Sequence, residues 1–518
     1  MFHFILKNPV CSILGICLSQ LIAAGIFFYS EAPNVVGIQY LLLFALLVCC
    51  SCRRYQLLLF VLGLTVFVIY MLSNLPQILL LGEAGLVFSV YKQHDKEDNA
   101  SSFLIIALSF IFHLYYVQFS DIGQRQHDLG GILYYMKNIT QNGLNWRGFD
   151  PWYMYYFFHQ PLHFVIAGYF YFAGLFLWHS ETVAQECLQY LSLFYITVTL
   201  IVAHGIFKVL ELPKTIHSTA LVLMAFNPTL FLFSGYVGDD APVLFWNVLL
   251  IYFLIKWFKT EKIVYLAFGA VCMGLGTLTK LSILVWVPAI CVLFLYKLWE
   301  SRNKHDILLG ISLFIIIAVP LSLVWIVRNH IFFDMDFYNI PDTSPNGQNF
   351  KYLTLGERMG NFSSVTKPFI NSPLVVESNI WLALIKTELF GEWNLSIHHS
   401  FINLPARLLY WLNILFKLCG GIGGLWLLFL TFKKKINIPS AILIFFVVGY
   451  YTIWGYAFKY AMDYPYACSS DYRLFASLIL PEVILLTILA QKLKATNILF
   501  IASVLYALLC SFIYTIIV

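Results

Sequence analysis

The chain has 518 residues, of which 60% are hydrophobic and 11% charged, and its mean hydropathy is +0.80. This composition excludes a water-soluble globule, because there is too little polar surface to cover one, and it predicts a polytopic membrane protein. The formal charge of +5 is small for this length. Cytoplasmic lysines and arginines explain it, so no nucleic-acid partner is expected.

The hydrophobic segments are uninterrupted runs of Leu, Ile, Val and Phe, which favour helices over the alternating strands of a transmembrane barrel. The predicted fold class is therefore an all-α polytopic membrane protein. The first segment could be misread as a secretory signal, but no small-residue cleavage site stands out, so we interpret it as a retained anchor. Sixteen segments are predicted, at 9–29, 36–50, 55–73, 75–91, 101–119, 161–178, 186–208, 216–235, 242–258, 262–279, 281–299, 305–327, 404–431, 438–457, 474–491 and 495–516.

Short loops rich in Lys and Arg orient the segments, since such loops stay in the cytoplasm. The run Lys433–Lys435 and the cationic stretch 297–304 are the clearest markers. Counting back from them and forward from Arg53-Arg54 gives orientations that agree only if one segment does not cross. We therefore predict a re-entrant or interfacial helix at about 161–178, with both ends outside, and fifteen crossings. A false span at 75–91 is the rival solution, but it would place the first polar loop inside.

This topology divides the chain into four parts and puts all long polar loops on the outer face, as expected of a membrane enzyme that works there. Residues 1–100 form a four-span unit without an assigned role. Residues 101–327 form the catalytic transmembrane module, with its first outer loop at 120–160. An extracytoplasmic loop region at 328–403 and a C-terminal four-span module at 404–518 follow.

The first outer loop is the first long polar interruption of the chain. Its Asp128 lies in QRQHDLGG, beside Arg125 and His127. This carboxylate could cap a helix, or it could accept a proton from an incoming hydroxyl or amine at the membrane surface. The aromatic run FDPWYMYYFFHQPLH at 149–163 could be an interfacial belt, a stacking surface for a sugar or lipid head group, or both.

His159 and His163 are four residues apart and could share a helical face, which with Asp128 would resemble a metal cluster. Pro161 between them disfavours that geometry. No cofactor is firmly implied, and a divalent metal at these two histidines stays a weak alternative.

Two acids and three cations lie in later loops of the same face. Asp239 and Asp240, in SGYVGDD, precede an apolar helix, where a single carboxylate would suffice as a cap. Lys280 lies in the turn between two closely joined spans, where snorkelling and phosphate binding are both reasonable interpretations. Arg328 and Arg473 lie at outer span ends. Three outward cations near acidic motifs suggest an anionic, lipid-linked substrate.

Several stretches resemble motifs of one family in matching order. They are HDLGGILYYMKNI, HQPLHFVIAGYF, SGYVGDDAPVLFWNVLLIYF and GLGTLTKLSILVWVPAI, with WIVRNHIFF, KTELFGEWN and SSDYRLFASLILP further on. The pattern is similar to membrane glycosyltransferases with the GT-C fold, especially the branch of protein O-mannosyltransferases and the aminoarabinose transferase of lipid A. The similarity covers roughly residues 101–490, and the order of the motifs is its most specific feature.

The resemblance implies roles for individual residues. The family's first-loop acid, a proposed catalytic base or essential carboxylate, corresponds to Asp128, and its later acid corresponds to Asp239 or Asp240. The family's His/Lys-Pro-Pro-Leu element is HQPL at 159–162 here, with one proline and no lysine, so the residue that touches the donor phosphate stays open. The candidate substrate-binding residues are Arg125, His127, His159, Gln160, Lys280, Arg328 and Arg473.

The resemblance predicts an integral-membrane glycosyltransferase that moves a sugar, with inversion, from a polyprenyl-phosphate donor to a lipid, glycan or protein acceptor on the extracytoplasmic face. Membrane lipids are the other expected partners. A polymerase or ligase of lipid-linked glycans is one alternative. A transporter or flippase is another, but it predicts paired charges near mid-span and internal repeats, and neither is evident in the sequence. The expected location is the bacterial plasma membrane with the site facing outward, or the endoplasmic-reticulum membrane in a eukaryote.

Overall fold

The computed structural model describes residues 56–73, 75–93, 99–120, 122–123, 126, 128–145, 147–335, 350–370, 377–391, 400–433 and 439–517, together with residues 40, 44 and 45. The predicted span at 9–29, most of the one at 36–50, the Arg53-Arg54 marker and Lys434-Lys435 lie outside the described residues.

The regular elements are helices, and no β-strand occurs among the described residues, which confirms the predicted all-α class. Short 3₁₀ helices at Tyr155–Phe158, Leu281–Trp286 and Tyr472–Leu478 connect or extend the α-helices. The α-helices are α1 (Gln56–Ser73), α2 (Pro76–Gln93), α3 (Ala100–Phe119), α4 (Leu129–Asn142), α5 (Leu162–Trp178), α6 (Glu181–Val209), α7 (Lys214–Ala225), α8 (Pro228–Gly235), α9 (Asp240–Thr260), α10 (Ile263–Thr279), α11 (Val287–Glu300), α12 (Lys304–Phe333), α13 (Leu355–Gly360), α14 (Ile380–Phe390), α15 (Asn403–Phe432), α16 (Ser440–Asp463), α17 (Ile479–Lys492) and α18 (Thr496–Ile516).

Nine helices in the described part of the chain are long and apolar enough to cross a membrane, or ten if α7 and α8 count as one bent span. The sequence predicts three further crossings in this part, at 55–73, 75–91 and 262–279. They correspond to α1, α2 and α10. The apolar stretches of α1 and α10 are shorter than a full span, and α2 carries Glu83 and Lys92. α10 nonetheless packs between α9 and α12 in the body of the bundle.

The predicted span at 216–235 is bent in the structure, which divides it into α7 and α8 at an angle of 46°. Pro228 has no amide hydrogen and cannot continue α7, but it fits the first turn of a new helix. Asn227 caps α8 by accepting a hydrogen bond from the Thr229 amide at 3.0 Å. The Asn-Pro pair therefore ends one helix and begins the next.

α5 corresponds to the segment that is predicted not to cross. It has 17 residues, fewer than the roughly 20 that a span needs. The ring of His163, in its first turn, lies 6.4 Å from the ring of Tyr195, halfway along α6. α5 ends three residues before α6 begins, so it runs antiparallel to the first half of α6. That both ends of α5 lie on one face of the membrane stays a prediction.

The helix ends separate into two faces. The side chain of Gln189 on α6 donates hydrogen bonds to Ser120 O after α3, at 3.2 Å, and to Gly235 O at the end of α8, at 3.0 Å. Near the other end of α6, Lys208 donates to Asn99 before α3, at 3.2 Å. We call the first the site face and the second the basic face, because helix ends there carry Lys208, Lys214, Lys256, Lys259, Lys262, Lys297, Arg302 and Lys304.

α1 and α2 belong to the predicted N-terminal unit, in which α1 packs against α2 and α2 packs against α3. Leu79 and Leu86 of α2 share a buried cluster with Phe103 and Ile111 of α3. The division of the chain into four parts stays a prediction.

Candidate functional site

A cluster of polar side chains lies on the site face, where connections between helices converge. Each member sits at a helix end or in a 3₁₀ turn, so the rigid helices behind it fix its position. The members are Asp128 before α4, Tyr156 and His159 around the 3₁₀ helix Tyr155–Phe158, Tyr236, Asp239 and Asp240 between α8 and α9, Lys280 after α10, and Asp471 and Arg473 before α17.

Asp128 occupies the N-cap position of α4, but its carboxylate accepts no hydrogen bond from the described amides of that helix. It instead accepts hydrogen bonds from Arg473 Nη1 at 3.2 Å and from the Tyr236 hydroxyl at 3.4 Å. The Tyr156 hydroxyl also bonds to it. The side chain is 35% exposed, so one side remains accessible to a substrate. The sequence left helix capping and proton acceptance open for Asp128, and the contacts of its carboxylate are not those of a helix cap.

Burial alone would raise the pKa of Asp128, but the charge of Arg473 and hydrogen bonds from Tyr156 and Arg473 outweigh it, so the pKa is lowered. Asp128 is therefore a carboxylate at neutral pH. Its free lone pairs can accept a proton.

Tyr236 and Asp471 hold Arg473 by contacts to its side chain and its backbone. Its Nη1 donates to the Tyr236 hydroxyl at 2.8 Å, and its Nε lies 3.0 Å from Asp471 Oδ2. Asp471 also accepts a hydrogen bond from the backbone amide of Arg473 at 3.0 Å. A guanidinium fixed in this way presents a set direction to Asp128.

Lys280 forms a second charged group with the two later acids. It has an extended backbone between α10 and the 3₁₀ helix Leu281–Trp286. Its ammonium lies 2.9 Å from Asp239 Oδ1 and also contacts Asp240 Oδ1. Asp239 caps α9 by position only, since its side chain bonds to none of the described amides of that helix.

Both Asp239 and Lys280 are charged. Burial would raise the pKa of Asp239, but Lys280 and His159 outweigh it and lower the pKa. Burial would lower the pKa of Lys280, but the two aspartates outweigh it and raise the pKa. His159 Nδ1 lies 3.6 Å from Asp239 Oδ2, and its ring stacks on Tyr156 with 5.9 Å between centroids. The histidine therefore links the Lys280 group to the Asp128 group.

Two glycines of the sequence motifs make room for the tyrosines of the site. A Cβ on Gly131 would lie 1.9 Å from Tyr156 Cε2, and a Cβ on Gly238 would lie 2.3 Å from Tyr236 Cε1. Neither distance is tolerable between non-bonded atoms. The LGG and VGD motifs thus allow both hydroxyls to approach Asp128.

His163 and Gln160 are buried, and His163 is near enough to Asp239 and Lys280 to be affected by both charges. Neither ring nitrogen of His163 has a hydrogen-bond partner among the described residues. Burial lowers the pKa of His163 to about 4, against the charge of Asp239, so the ring is neutral. Among the residues that the structure describes, no three His, Cys, Asp or Glu side chains form a group that could hold a metal ion.

Arg328 lies within α12, which continues to Phe333, six residues beyond the predicted span end. It donates to Phe149 O at 2.5 Å and to Asn329 Oδ1 at 2.6 Å, and it lies 4.4 Å from the ring of Trp325. These contacts tie the aromatic run to α12, so Arg328 has partners other than the carboxylates of the site. The other two candidate residues, Arg125 and His127, lie outside the described residues.

The sequence analysis missed Tyr156, Tyr236 and Asp471. Tyrosine is common in this chain, with 32 copies, so residue type alone did not single out two of them. Asp471 had a signal, because an acid two residues before an arginine at a span start can cap the turn and pair with the guanidinium.

The expectation that the spans contain no paired charges is also wrong. Lys417, halfway along α15, lies 2.7 Å from Glu388 Oε2 and 2.9 Å from Glu482 Oε2. The three residues come from three helices that are far apart in the chain, so no local pattern pairs them.

The fold and this site define a multi-pass helical membrane protein with a charged site at one face. Residues 158–335 match the family model described as dolichyl-phosphate-mannose-protein mannosyltransferase. This confirms the predicted resemblance to GT-C membrane glycosyltransferases. The match covers about a third of the chain and includes Asp239 and Lys280, but neither Asp128 nor Arg473. A search of curated proteins found no match.

Proposed function

We propose that this protein transfers a sugar from a polyprenyl-phosphate donor to an acceptor on the extracytoplasmic face of the membrane. The observation that carries the proposal is the hydrogen-bonded Asp128 carboxylate, linked through His159 to the Lys280 group on the same face. The matched family's description names mannose on dolichyl phosphate as the donor and protein as the acceptor, which supports mannose as the first sugar to test.

Asp128 is the proposed base. The acceptor hydroxyl oxygen attacks the anomeric carbon, the bond from that carbon to the phosphate oxygen breaks, and its electron pair leaves with the phosphate. The hydroxyl proton passes to the Asp128 carboxylate. A carboxylate with a lowered pKa is a weak base. The proton therefore moves to Asp128 late in the reaction, after the new bond to the anomeric carbon has made the hydroxyl proton acidic.

Lys280 is the proposed ligand of the departing phosphate. Inversion requires attack and departure on opposite sides of the anomeric carbon, so the base and the phosphate ligand should belong to different groups. The contact between Arg473 and Asp128 favours orientation of the base as the role of this arginine. Asp239 and Asp240 hold the ammonium of Lys280, which can offset the charge that develops on the phosphate.

The basic face supports an extracytoplasmic position for the site, because lysines and arginines in short loops favour the cytoplasm. A bacterial plasma membrane with the site outside, or an endoplasmic-reticulum membrane with the site in the lumen, has this topology.

The test is transfer of radiolabelled sugar from a panel of polyprenyl-phosphate sugars in proteoliposomes, with membrane extract as the source of lipid, glycan and protein acceptors. Asp128→Asn should lower transfer by about 10²- to 10⁴-fold while donor binding persists. Asp334→Asn is the matched control, because Asp334 is exposed and its φ of 52° suits asparagine.

If Asp128→Asn transferred sugar as fast as wild type, Asp128 would not be the base. Wild-type protein that turns over no donor, but moves intact lipid across the bilayer, would support a flippase instead.

A further inference from the structure

The buried charges of the C-terminal helices form a defined cluster, the Lys417 triad, which consists of Lys417, Glu388 and Glu482. Lys417 and Glu482 are each 6% exposed and Glu388 is 1% exposed. Asn413 donates to Glu388 Oε2 at 2.8 Å, next to the ammonium of Lys417. The triad joins α14, α15 and α17.

Stabilisation of the fold does not by itself explain such a triad. Three charged groups lose their hydration on burial, and apolar side chains of similar volume often stabilise a protein as well or better. A cavity of about 20 Å³ borders Glu482, Asn413 and Tyr506, with room for a water molecule but not for a sugar or lipid. The triad therefore needs a role other than substrate binding.

The contacts of Tyr472 suggest that role. The ammonium of Lys417 lies 4.8 Å from the centroid of the Tyr472 ring. The backbone amide of Tyr472 donates to Thr387 Oγ1 at 2.9 Å, and Thr387 directly precedes Glu388 in α14. Tyr472 is thus held by its ring and by its backbone, and the next residue in the chain is Arg473.

We propose that Lys417, together with Glu388 and Glu482, positions Arg473 toward Asp128. Lys417 fixes the Tyr472 ring, Thr387 fixes the Tyr472 amide, and the 3₁₀ helix that begins at Tyr472 carries Arg473 to the carboxylate. Lys417 touches neither donor nor acceptor in this arrangement, so it is a positioning residue. The kinetic consequence of this role rests on the proposed glycosyltransferase function.

Double-mutant kinetics test the connection. Lys417→Met should lower kcat by about 10- to 100-fold, with little change in the KM for the donor, because the base is misdirected while the Lys280 group is intact. In an Arg473→Gln background, the same change should lower kcat no further, since the positioned group is gone. Independent losses that multiply in the double variant would overturn the proposal.

Thr387→Val provides a second variant that leaves all three charges of the triad in place. It removes the acceptor of the Tyr472 amide and should lower kcat in the same way. Thr431→Val is its matched control, because the hydroxyl of buried Thr431 donates to Leu427 O of its own helix at 2.9 Å and has no other hydrogen-bond partner among the described residues. If Lys417→Met does not fold, the comparison of Thr387→Val with Thr431→Val tests whether the contacts of Tyr472 position Arg473.

Hydrogen exchange of residues 467–478 gives a readout that needs no turnover. Thr387→Val and Lys417→Met should speed exchange there, while Thr431→Val should not. A wild-type protein that is inactive with every donor would defeat the proposed function, yet the exchange rates would still report whether the triad fixes this segment. Unchanged exchange in Thr387→Val, or in a folded Lys417→Met, would overturn the positioning role.

Discussion

Arg473 Nη1 donates a hydrogen bond to Asp128 Oδ2 at 3.2 Å, although 345 positions separate the two residues in the chain. The site therefore combines the loop before α4 with the turn before α17. Neither part contains it alone.

The Arg473 guanidinium predicts a specific pH dependence. Asp128 must be deprotonated to accept a proton, so transfer falls as the pH falls through its pKa. In Arg473→Gln the cation that lowers this pKa is gone while burial still raises it, so the fall should occur at a higher pH than in wild type. kcat/KM for the donor, measured as a function of pH, checks this. Arg302→Gln is the control, because Arg302 is exposed on the basic face, and it should keep the wild-type pH profile. If Arg473→Gln gave the same profile as this control, the effect of Arg473 on the pKa of Asp128 would be contradicted.

Lys280 should be important for stability as well as for turnover. Lys280→Met leaves Asp239 and Asp240 buried without their cation, which should cost about 3–5 kcal/mol. Adding Asp240→Asn should recover part of this loss without restoring transfer. Denaturant unfolding of the purified protein measures the first effect and the transfer assay the second.

Lys459→Met is the control for this experiment, because Lys459 forms an exposed ion pair with Asp463. Its loss should cost less than about 1 kcal/mol. Equal destabilisation by the two lysine changes would argue against a special role for the buried group.

Two adjacent glycines allow a matched comparison. Gly131→Ala should lower transfer at least tenfold, because the new methyl group displaces the Tyr156 ring from Asp128. A Cβ on Gly130 would meet nothing within 4 Å, so Gly130→Ala should behave like wild type. Alanine has a higher helix propensity than glycine, so both substitutions should favour α4 equally. If both variants lost activity, displacement of Tyr156 would not be the cause. Transfer rates, with thermal unfolding as a check on folding, distinguish these outcomes.

The sidedness of the site can be measured by cysteine labelling in intact cells. Tyr153 lies in the first loop and is 78% exposed, so a membrane-impermeant maleimide should label Tyr153→Cys from outside. Arg302→Cys, on the basic face, should react only after the membrane is permeabilised. The unmodified chain supplies the background of the native cysteines. The reverse pattern would place the site in the cytoplasm.

Sequence reasoning found the helical class and the charged residues that begin or end helices. Asp128, Asp239 and Lys280 were recognisable because a charge beside a long apolar run has few neutral explanations. The bend at Pro228 was missed because the hydrophobic run continues through it, although the Asn-Pro pair was a usable signal.

The remaining features depend on contacts between distant segments. Tyr236 matters because Gly238 brings its ring inward and Arg473 meets its hydroxyl, and no local pattern encodes that meeting. Lys417 pairs with acids of two other helices, and no local pattern in the sequence shows these partners. Arg328 was predicted as a ligand because it is a cation at a span end. Its hydrogen bond to Phe149 O also gives it a structural role that the sequence does not show, and its part in binding stays a prediction.

The late position of the Asp471–Arg473 turn affects how the protein is made. Asp128 is synthesised with the early helices, whereas this turn is translated only after α16. Until then, the Asp128 carboxylate lacks the hydrogen bond from Arg473. A nascent chain therefore lacks the contact between Asp128 and Arg473, and the site is completed only as the last two helices, α17 and α18, are made.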